Sequence, residues 1–393
     1  MVVSLFGLAV KSANKGCEAL FYAFMDILSE VAAEKNIRLT VYAHIAWPRN
    51  AELPVMSRDW PNITFVISRV DLRRRTARAS MMRLIENSDV CFDFAEGDSF
   101  TDMYGMRRFV YQMLVKTMAI RHCRRFVLGP QTHGPFEAWV VKMWAKWVYK
   151  HSFAIYSRDE ESVQVVKRLG RNDAVAVTDV AMALKPIGEK MGLDGGLVNV
   201  GVNVSGLLYN GGYTGDNQFN LTVDYKTYIS ALVKSLSANP AYKVYLIPHV
   251  ITDDYDDCEN DLKICEELKS CFPSTKVIQG LDSPDKIKNA ISQMDVFTGA
   301  RMHATIAAFS TGVPVVPFSY SKKFEGLYGS FGYGFVINGK TMTTEDAVAK
   351  TLEYIERRDE LKDAEISAFP HMKEKLSAFK QNLVAIMADN NAP

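Results

Sequence analysis

The stretch that most constrains the fold is GARMHATIAAFSTGVPVV, residues 299–316, followed at once by SYSKKFEGLYG, residues 319–329. The apolar run that ends in Asp295 to Gly299 reads as a strand. Arg301 to Thr311 then follow a helical pattern, Gly312 ends it, and Val313–Phe318 is again strand-like. Strand, helix and strand in such close succession make a βαβ unit, which calls for a parallel sheet. The helix opens with Arg301 and His303, where unpaired backbone N–H groups and the positive end of the dipole favour an anion. Lys322 and Lys323 return to the same sheet edge after the next strand, so an anionic ligand is expected there.

The same alternation runs through both halves of the chain. Strand-like segments are Val2–Ala9, Leu39–Ala43, Ile63–Val66, Val90–Phe94, Arg125–Leu128, Ala154–Tyr156 and Ala174–Val177, then Val198–Val204, Lys243–Pro248, Thr275–Ile278, Val296–Gly299, Val313–Phe318 and Gly334–Ile337. With 393 residues, 48% hydrophobic and 23% charged, the chain can bury about two cores. The predicted class is α/β, with two Rossmann-like doubly wound domains facing across a cleft. The expected limits are residues 1–185, residues 196–343, and a helical segment 344–393 that packs back on the first domain. The boundary falls in KPIGEKMGLDGG, residues 185–196, where Pro and Gly cluster.

Charge is distributed unevenly under a formal net charge of +1: residues 1–180 hold 25 Lys and Arg against 19 Asp and Glu, and the remainder 21 against 26. Part of the excess lies in SRVDLRRRTARASMMR, and part in FEAWVVKMWAKWVYKH, where Lys142, Lys146 and Lys150 are four residues apart beside Trp139, Trp144 and Trp147. That helix reads either as a surface helix with tryptophans turned to the core or as a surface for anionic lipid. A near-neutral chain without a recognised binding module predicts no nucleic-acid partner. The N-terminus reads as a first strand rather than a signal peptide, no run of about 18 apolar residues occurs, and the six cysteines have no CxxC spacing. These features predict a cytoplasmic protein with reduced, mostly buried thiols.

In parallel α/β sheets ligands bind beyond the carboxyl ends of the strands. The residues there are Asn14, Lys15, Gly16 and Glu18, then Glu96, Gly97, Asp98 and Ser99, then Gln131, Thr132 and His133, and Ser157 to Glu160 with Arg158. The second half adds Asn203, Ser205, His249, Arg301, His303 and Lys323. Read without further context, Asp98 could instead cap a helix beginning near Phe100, and Arg158 could be a surface ion pair.

The motifs NKGCEAL, FDFAEGDSFTDMYG, LGPQTHGPF, YSRDEES, VGVNVS, VYLIPHV, GARMHATIAAFSTGVPVV and SYSKKFEG occur in this order over roughly residues 3–330. In this the chain resembles the polysaccharide pyruvyltransferases. The resemblance implies a glycosyltransferase-B-like fold and transfer of pyruvate from phosphoenolpyruvate onto a sugar as a cyclic ketal. It places Arg158, His303 and Lys323 at catalytic and donor-binding positions, with Arg301 joining the donor site.

The chemistry of the donor is consistent with that. Phosphoenolpyruvate needs several cations and a helix N-terminus, which Arg158, Arg301 and Lys323 could supply. Ketal formation needs an acid for the methylene carbon, for which His303 is expected, and a base for the hydroxyls, for which Asp98 is expected first and Glu96 next. Asn14, Glu96, Ser99, His133, Asn203 and His249 are expected to bind substrate.

No cofactor is expected. Neither is a metal: His-x-x-x-His is lacking, and ITDDYDDCEND, residues 251–261, reads as a solvated acidic loop. Gly16-Cys17-Glu18 and Glu96-Gly97-Asp98 depart from the family's Gly-Asp-Glu and Gly-Gly turns, which leaves the acceptor sugar open. Expected partners are phosphoenolpyruvate, a sugar acceptor carried on a lipid diphosphate, and peripheral contact with an anionic membrane at its inner face. Two other readings stay open: a nucleotide-sugar glycosyltransferase of the same architecture, and a non-catalytic glycan- or lipid-binding protein.

Overall fold

The computed structural model describes residues 1–48, 51–56 and 58–388. The chain forms two compact units: Met1–Val10, Ala23–Ala183 and Lys373 onward make the first, and Lys11–Tyr22 with Leu184–Met372 the second. Each is built on one parallel sheet.

The first sheet contains β1 (Val2–Phe6), β2 (Leu39–Ile45), β3 (Ile63–Arg69), β4 (Val90–Asp93), β5 (Phe126–Gln131), β6 (Ala154–Ser157) and β7 (Val175–Ala176), in the order β3-β2-β1-β4-β5-β6-β7. The second contains β8 (Val198–Asn203), β9 (Tyr242–Leu246), β10 (Lys276–Val277), β11 (Val296–Gly299), β12 (Val315–Ser319) and β13 (Ile337–Asn338), in the order β10-β9-β8-β11-β12-β13. The helices are α1 (Lys15–Lys35), α2 (Arg75–Glu86), α3 (Met106–His122), α4 (Trp139–His151), α5 (Glu160–Arg168), α6 (Gly206–Tyr209), α7 (Tyr225–Ala238), α8 (Asp261–Cys271), α9 (Pro284–Ile291), α10 (Met302–Thr311), α11 (Lys322–Gly329), α12 (Thr344–Glu356) and α13 (Arg358–Ala388).

Every strand expected from the apolar runs is present; in the central ones the reason is burial on both faces, since all residues of β4, β5, β11 and β12 are buried. Helix α10 ends where expected because Gly312 adopts the left-handed conformation at its C-cap, φ 76°. In the first unit Phe24 of α1 lies 5.1 Å from Phe92 and 4.6 Å from Phe94, ring centroid to centroid. Phe379 of α13 lies 5.0 Å from Tyr156. In the second unit Tyr225 and Tyr228 of α7 pack on Phe318 of β12, and Ala347, Ile355 and Leu361 join the same core.

These contacts set unit limits that differ from the expected ones. Residues 344–372 group with the second unit, since α12 is bound to α7 through Tyr228 and Thr351, hydroxyl to hydroxyl at 2.9 Å. Residues 11–22 also group there, because Asn14 forms a bridge with Val250 and the Lys15 N–H donates to the His249 carbonyl.

Candidate active site

Each unit gathers a group of the expected residues at the carboxyl edge of its sheet. In the second unit, Asn203 ends β8, His249 follows β9, Arg301 and His303 follow β11, and Lys323 follows β12. Asn203 is fully buried: its Oδ1 accepts the Arg301 backbone N–H at 2.9 Å and its Nδ2 donates to the Ile247 carbonyl at 3.0 Å. Both functional atoms of the amide are therefore used in joining the loops after β9 and β11.

The hub of this group is Asp261, the first residue of α8 and fully buried. Its Oδ1 accepts the Gly206 N–H at 2.8 Å, and its Oδ2 accepts those of His249 and Val250 at 3.1 and 2.9 Å. The Arg301 guanidinium donates to the same carboxylate at 2.7 Å and to the Glu259 carbonyl at 2.9 Å. Burial works against the Arg301 charge, but the Asp261 carboxylate outweighs it and holds the pKa above its ordinary value. Two sequence expectations are corrected here. Asp261 closes the acidic run read as a solvated loop, and Arg301, expected as a ligand arm, is committed to Asp261 and acts as a strut. The signal available was Asn260-Asp261 before an apolar helical pattern, a helix start whose Asn260 side chain accepts the Leu262 N–H.

His303 stands at the start of α10, where Arg301 is the N-cap residue. Its ring lies against Gly16 in the first turn of α1, so closely that a Cβ at position 16 would fall 2.4 Å from Nδ1. Beside it, Lys15 is buried and paired with the fully buried Glu18 at 3.0 Å, whose other oxygen accepts the Lys11 N–H. His249 is buried, with no hydrogen-bond partner at Nδ1. Burial, then the charges of His303, Arg301 and Lys15, hold its pKa well below the ordinary value, so it is neutral. Asn14 serves the turn itself, its Oδ1 accepting the Gly16 N–H at 3.0 Å. Lys323 is half-buried in the first turn of α11; the Lys322 side chain lies outside the described residues. The edge therefore carries the starts of α1, α10 and α11, two imidazoles and several cations, partly balanced by Glu18, Asp261 and Glu259.

In the first unit the loop after β4 carries Glu96, Asp98 and Ser99. Ala95 and Glu96 both take positive φ, 45° and 53°. Glu96 pairs with Arg108 of α3, which also donates to the Ser99 hydroxyl at 2.7 Å. Asp98 accepts from the Tyr104 hydroxyl at 3.1 Å and caps no helix, since α3 begins only at Met106 behind Gly105. Arg158 is buried rather than a surface ion pair: its Nε donates to Thr132 at 2.7 Å and its guanidinium to Asp179 at 3.1 Å. Burial disfavours its charge, but Asp179, Asp98 and Asp159 together raise its pKa.

His133 belongs to the core and not to a ligand site. Its Nε2 lies 3.3 Å from the Tyr156 carbonyl and its Nδ1 3.1 Å from the Tyr149 hydroxyl. Burial lowers its pKa to about 4. None of the six cysteines is in a disulfide; Cys91, Cys123 and Cys265 are buried and Cys271 is exposed. Among the described residues no cluster of His, Cys, Asp and Glu could hold a metal ion, and no helix is long and apolar enough to cross a membrane.

A family model described as polysaccharide pyruvyl transferase matches residues 14–322. No curated protein matches the sequence. Among solved structures the chain is similar to sucrose-phosphate synthase from Thermosynechococcus elongatus, with a TM-score of 0.58 at 8% identity over 99% of this chain and 98% of that one. It is also similar to a UDP-N-acetylglucosamine 2-epimerase, at 0.58 and 9% over 100% and 97%. HepE of Anabaena in complex with UDP gives 0.53 and 12% over 98% and 99%. At such identities the likeness is one of fold alone, and that fold is glycosyltransferase-B-like.

Proposed function

Because the chain belongs to the polysaccharide pyruvyl transferase family, we propose that it moves pyruvate from phosphoenolpyruvate onto two hydroxyls of a sugar as a cyclic ketal, in the synthesis of a surface polysaccharide or cell-wall glycan. The observation that carries this reading is the His303 ring seated between helix starts, against Gly16 and beside the neutral, buried His249. Phosphate and carboxylate suit the helix N-termini and the cations Lys15 and Lys323.

In the transfer, the methylene carbon of phosphoenolpyruvate takes a proton and C2 gains oxocarbenium character. One sugar hydroxyl attacks C2; the C–O bond to phosphate breaks and the second hydroxyl closes the ring. Of the two hydroxyl protons lost, one is matched by that gained at the new methyl group and the other leaves on phosphate. His303 is the acid in this scheme. His249 is held neutral by burial and neighbouring charge, so it is a poor acid and instead orients the donor. Asp98 and Arg158 take part in the same transfer, Asp98 as the base; Arg301 keeps the loop of His303 in place through Asp261.

The acceptor in this reading is a sugar on a lipid diphosphate at the inner face of a membrane. Trp139, Val140 and Met143 of α4 are exposed, Trp139 by 73%, next to exposed Lys142, Lys146 and Lys150, whereas Trp144 and Trp147 pack on the core. Such a surface suits anionic lipid.

The test incubates the protein with phosphoenolpyruvate and a panel of galactose, mannose and N-acetylmannosamine acceptors. Phosphate release together with a pyruvyl ketal on one acceptor is expected. Stabilisation by nucleotide sugars, with no response to phosphoenolpyruvate, would refute the reading.

A further inference from the structure

We infer that the first unit carries a built membrane-docking face. An apolar ridge, shared by the loop before α3 and the first turns of α4, enters the headgroup region of an anionic bilayer, and cations of α2, α3 and α4 hold the surface around it.

The three helices form one layer. Met81 and Ile85 of α2, Phe109 and Met113 of α3, and Val141 and Val148 of α4 belong to one core cluster, and α3 packs against both α2 and α4. Their inner sides are thereby used, and large apolar residues remain exposed outside: Met103 (64%) and Tyr104 ahead of α3, Met106 at its start, and Trp139, Val140 and Met143 (62%) on α4. Hydrogen bonds join the two sets. The Asp102 carboxylate accepts the N–H groups of Glu137 and Ala138 at 3.1 Å, and the Thr101 hydroxyl donates to the Pro135 carbonyl at 2.6 Å. Beneath them Phe109 packs on Phe136 and Trp144. The ridge is thus a fixed feature of the fold, and apolar groups exposed together on a firm base mark an interaction surface.

Charge decides the partner. Helices α3 and α4 contain no Asp or Glu, and α2 has only Glu86 at its end. Arg75, Arg78 and Arg83 of α2, Arg107 of α3, and Lys142 and Lys146 of α4 are exposed, so cations stand on both flanks of the ridge and outnumber the exposed Glu137. A second copy of the chain meeting this face in two-fold contact would set like charges together. A nucleic acid would use the cations and leave Trp139, Val140 and the methionines in water. An anionic bilayer uses both, since its headgroups attract the cations and its interface takes Trp and aliphatic side chains.

The loop of Met103 follows the carboxyl end of β4, and α4 begins behind that of β5. Docking therefore turns the edge that bears Glu96 and Asp98 towards the bilayer. That the bilayer then supplies the sugar acceptor rests on the proposed function; that this face binds anionic lipid does not.

Flotation of the full chain tests it, with vesicles of phosphatidylcholine carrying about one-third phosphatidylglycerol and with phosphatidylcholine alone. The chain should co-float with the anionic vesicles at low salt, bind the neutral ones far more weakly, and be released as salt is raised. Arg78→Gln combined with Lys142→Gln should weaken binding by about tenfold or more, at about fivefold for each cation. Met103→Ser combined with Trp139→Ser should weaken it by about tenfold with all cations kept, and thermal unfolding confirms that these exposed positions leave the fold intact. Absence of binding to anionic vesicles, equal binding to neutral ones, or a ridge variant that binds like the wild type overturns the inference. So does a dimer in sedimentation that the same variants dissociate, or retention of an oligonucleotide in place of vesicles. A wild type that floats but forms no ketal keeps this face and discards the acceptor assigned to it; one that forms the ketal but does not float does the reverse.

Discussion

Gly16 and His303, 287 positions apart in the chain, touch so closely that the imidazole Nδ1 occupies space a Cβ on residue 16 would need, at 2.4 Å. The first turn of α1 thereby fixes the ring that the start of α10 presents. Gly16→Ala should displace that ring. Alanine is the better helix former by about 1 kcal/mol, so the melting temperature should change little, while kcat should fall by about 10²-fold, as expected for a misplaced catalytic group. Measuring kcat and thermal unfolding on the same variant checks this; full activity in Gly16→Ala would show that the contact does not position His303.

Asp261 holds three backbone N–H groups and Arg301 inside the second unit. Asp261→Asn leaves the Arg301 charge buried without its main partner. A loss of about 3–5 kcal/mol in unfolding free energy is expected, read from urea titration, together with loss of activity. A variant as stable as the wild type would contradict the role of this carboxylate.

Buried imidazoles predict an acid-labile fold. His44 and His133 have pKa values lowered to about 3 and about 4 by burial, and His249 is also well below its ordinary value. The unfolded chain takes up protons near pH 6.5, which the folded one refuses. Stability is therefore complete above about pH 6.5 and falls as pH drops toward 4, by up to about 1.4 kcal/mol per pH unit for each histidine. Denaturant unfolding at stepped pH measures the slope, and His133→Gln should reduce it by one histidine's share.

Glu365 of α13 predicts the opposite sign. It is 2% exposed, neither carboxyl oxygen has a partner, and burial raises its pKa to about 9. The folded state binds a proton that the unfolded state has released, so this contribution is present below about pH 4.5 and is lost as pH rises toward 9. Glu365→Gln should raise unfolding free energy at pH 7 by about 2–3 kcal/mol and flatten the alkaline limb. An unchanged alkaline limb would contradict it.

How far the sequence speaks for itself depends on the range of the interaction. Strands β4, β5, β11 and β12 were legible because burial on both faces favours apolar residues along the whole strand, and α10 was legible because Gly312 marks its end. Asp261 was not, since its acidic neighbours are local and its partners Gly206 and Arg301 are not. His133 reads like any polar loop end until Tyr149 and Tyr156 close around it. The grouping of residues 11–22 with the second unit depends on Val250 and His249, far along the chain. The ridge of Met103 and Trp139 shows only once Asp102 joins the loop before α3 to the start of α4.

The most direct measurement compares wild type with His303→Asn for phosphoenolpyruvate-dependent phosphate release and ketal formation on the acceptor identified by the sugar panel, with thermal unfolding confirming that both are folded. Wild type should form the ketal, and the variant should lose at least about 10²-fold in turnover, the scale of a missing general acid. Turnover of His303→Asn within a few-fold of wild type, or ketal-free wild-type product, would contradict proton delivery by this histidine.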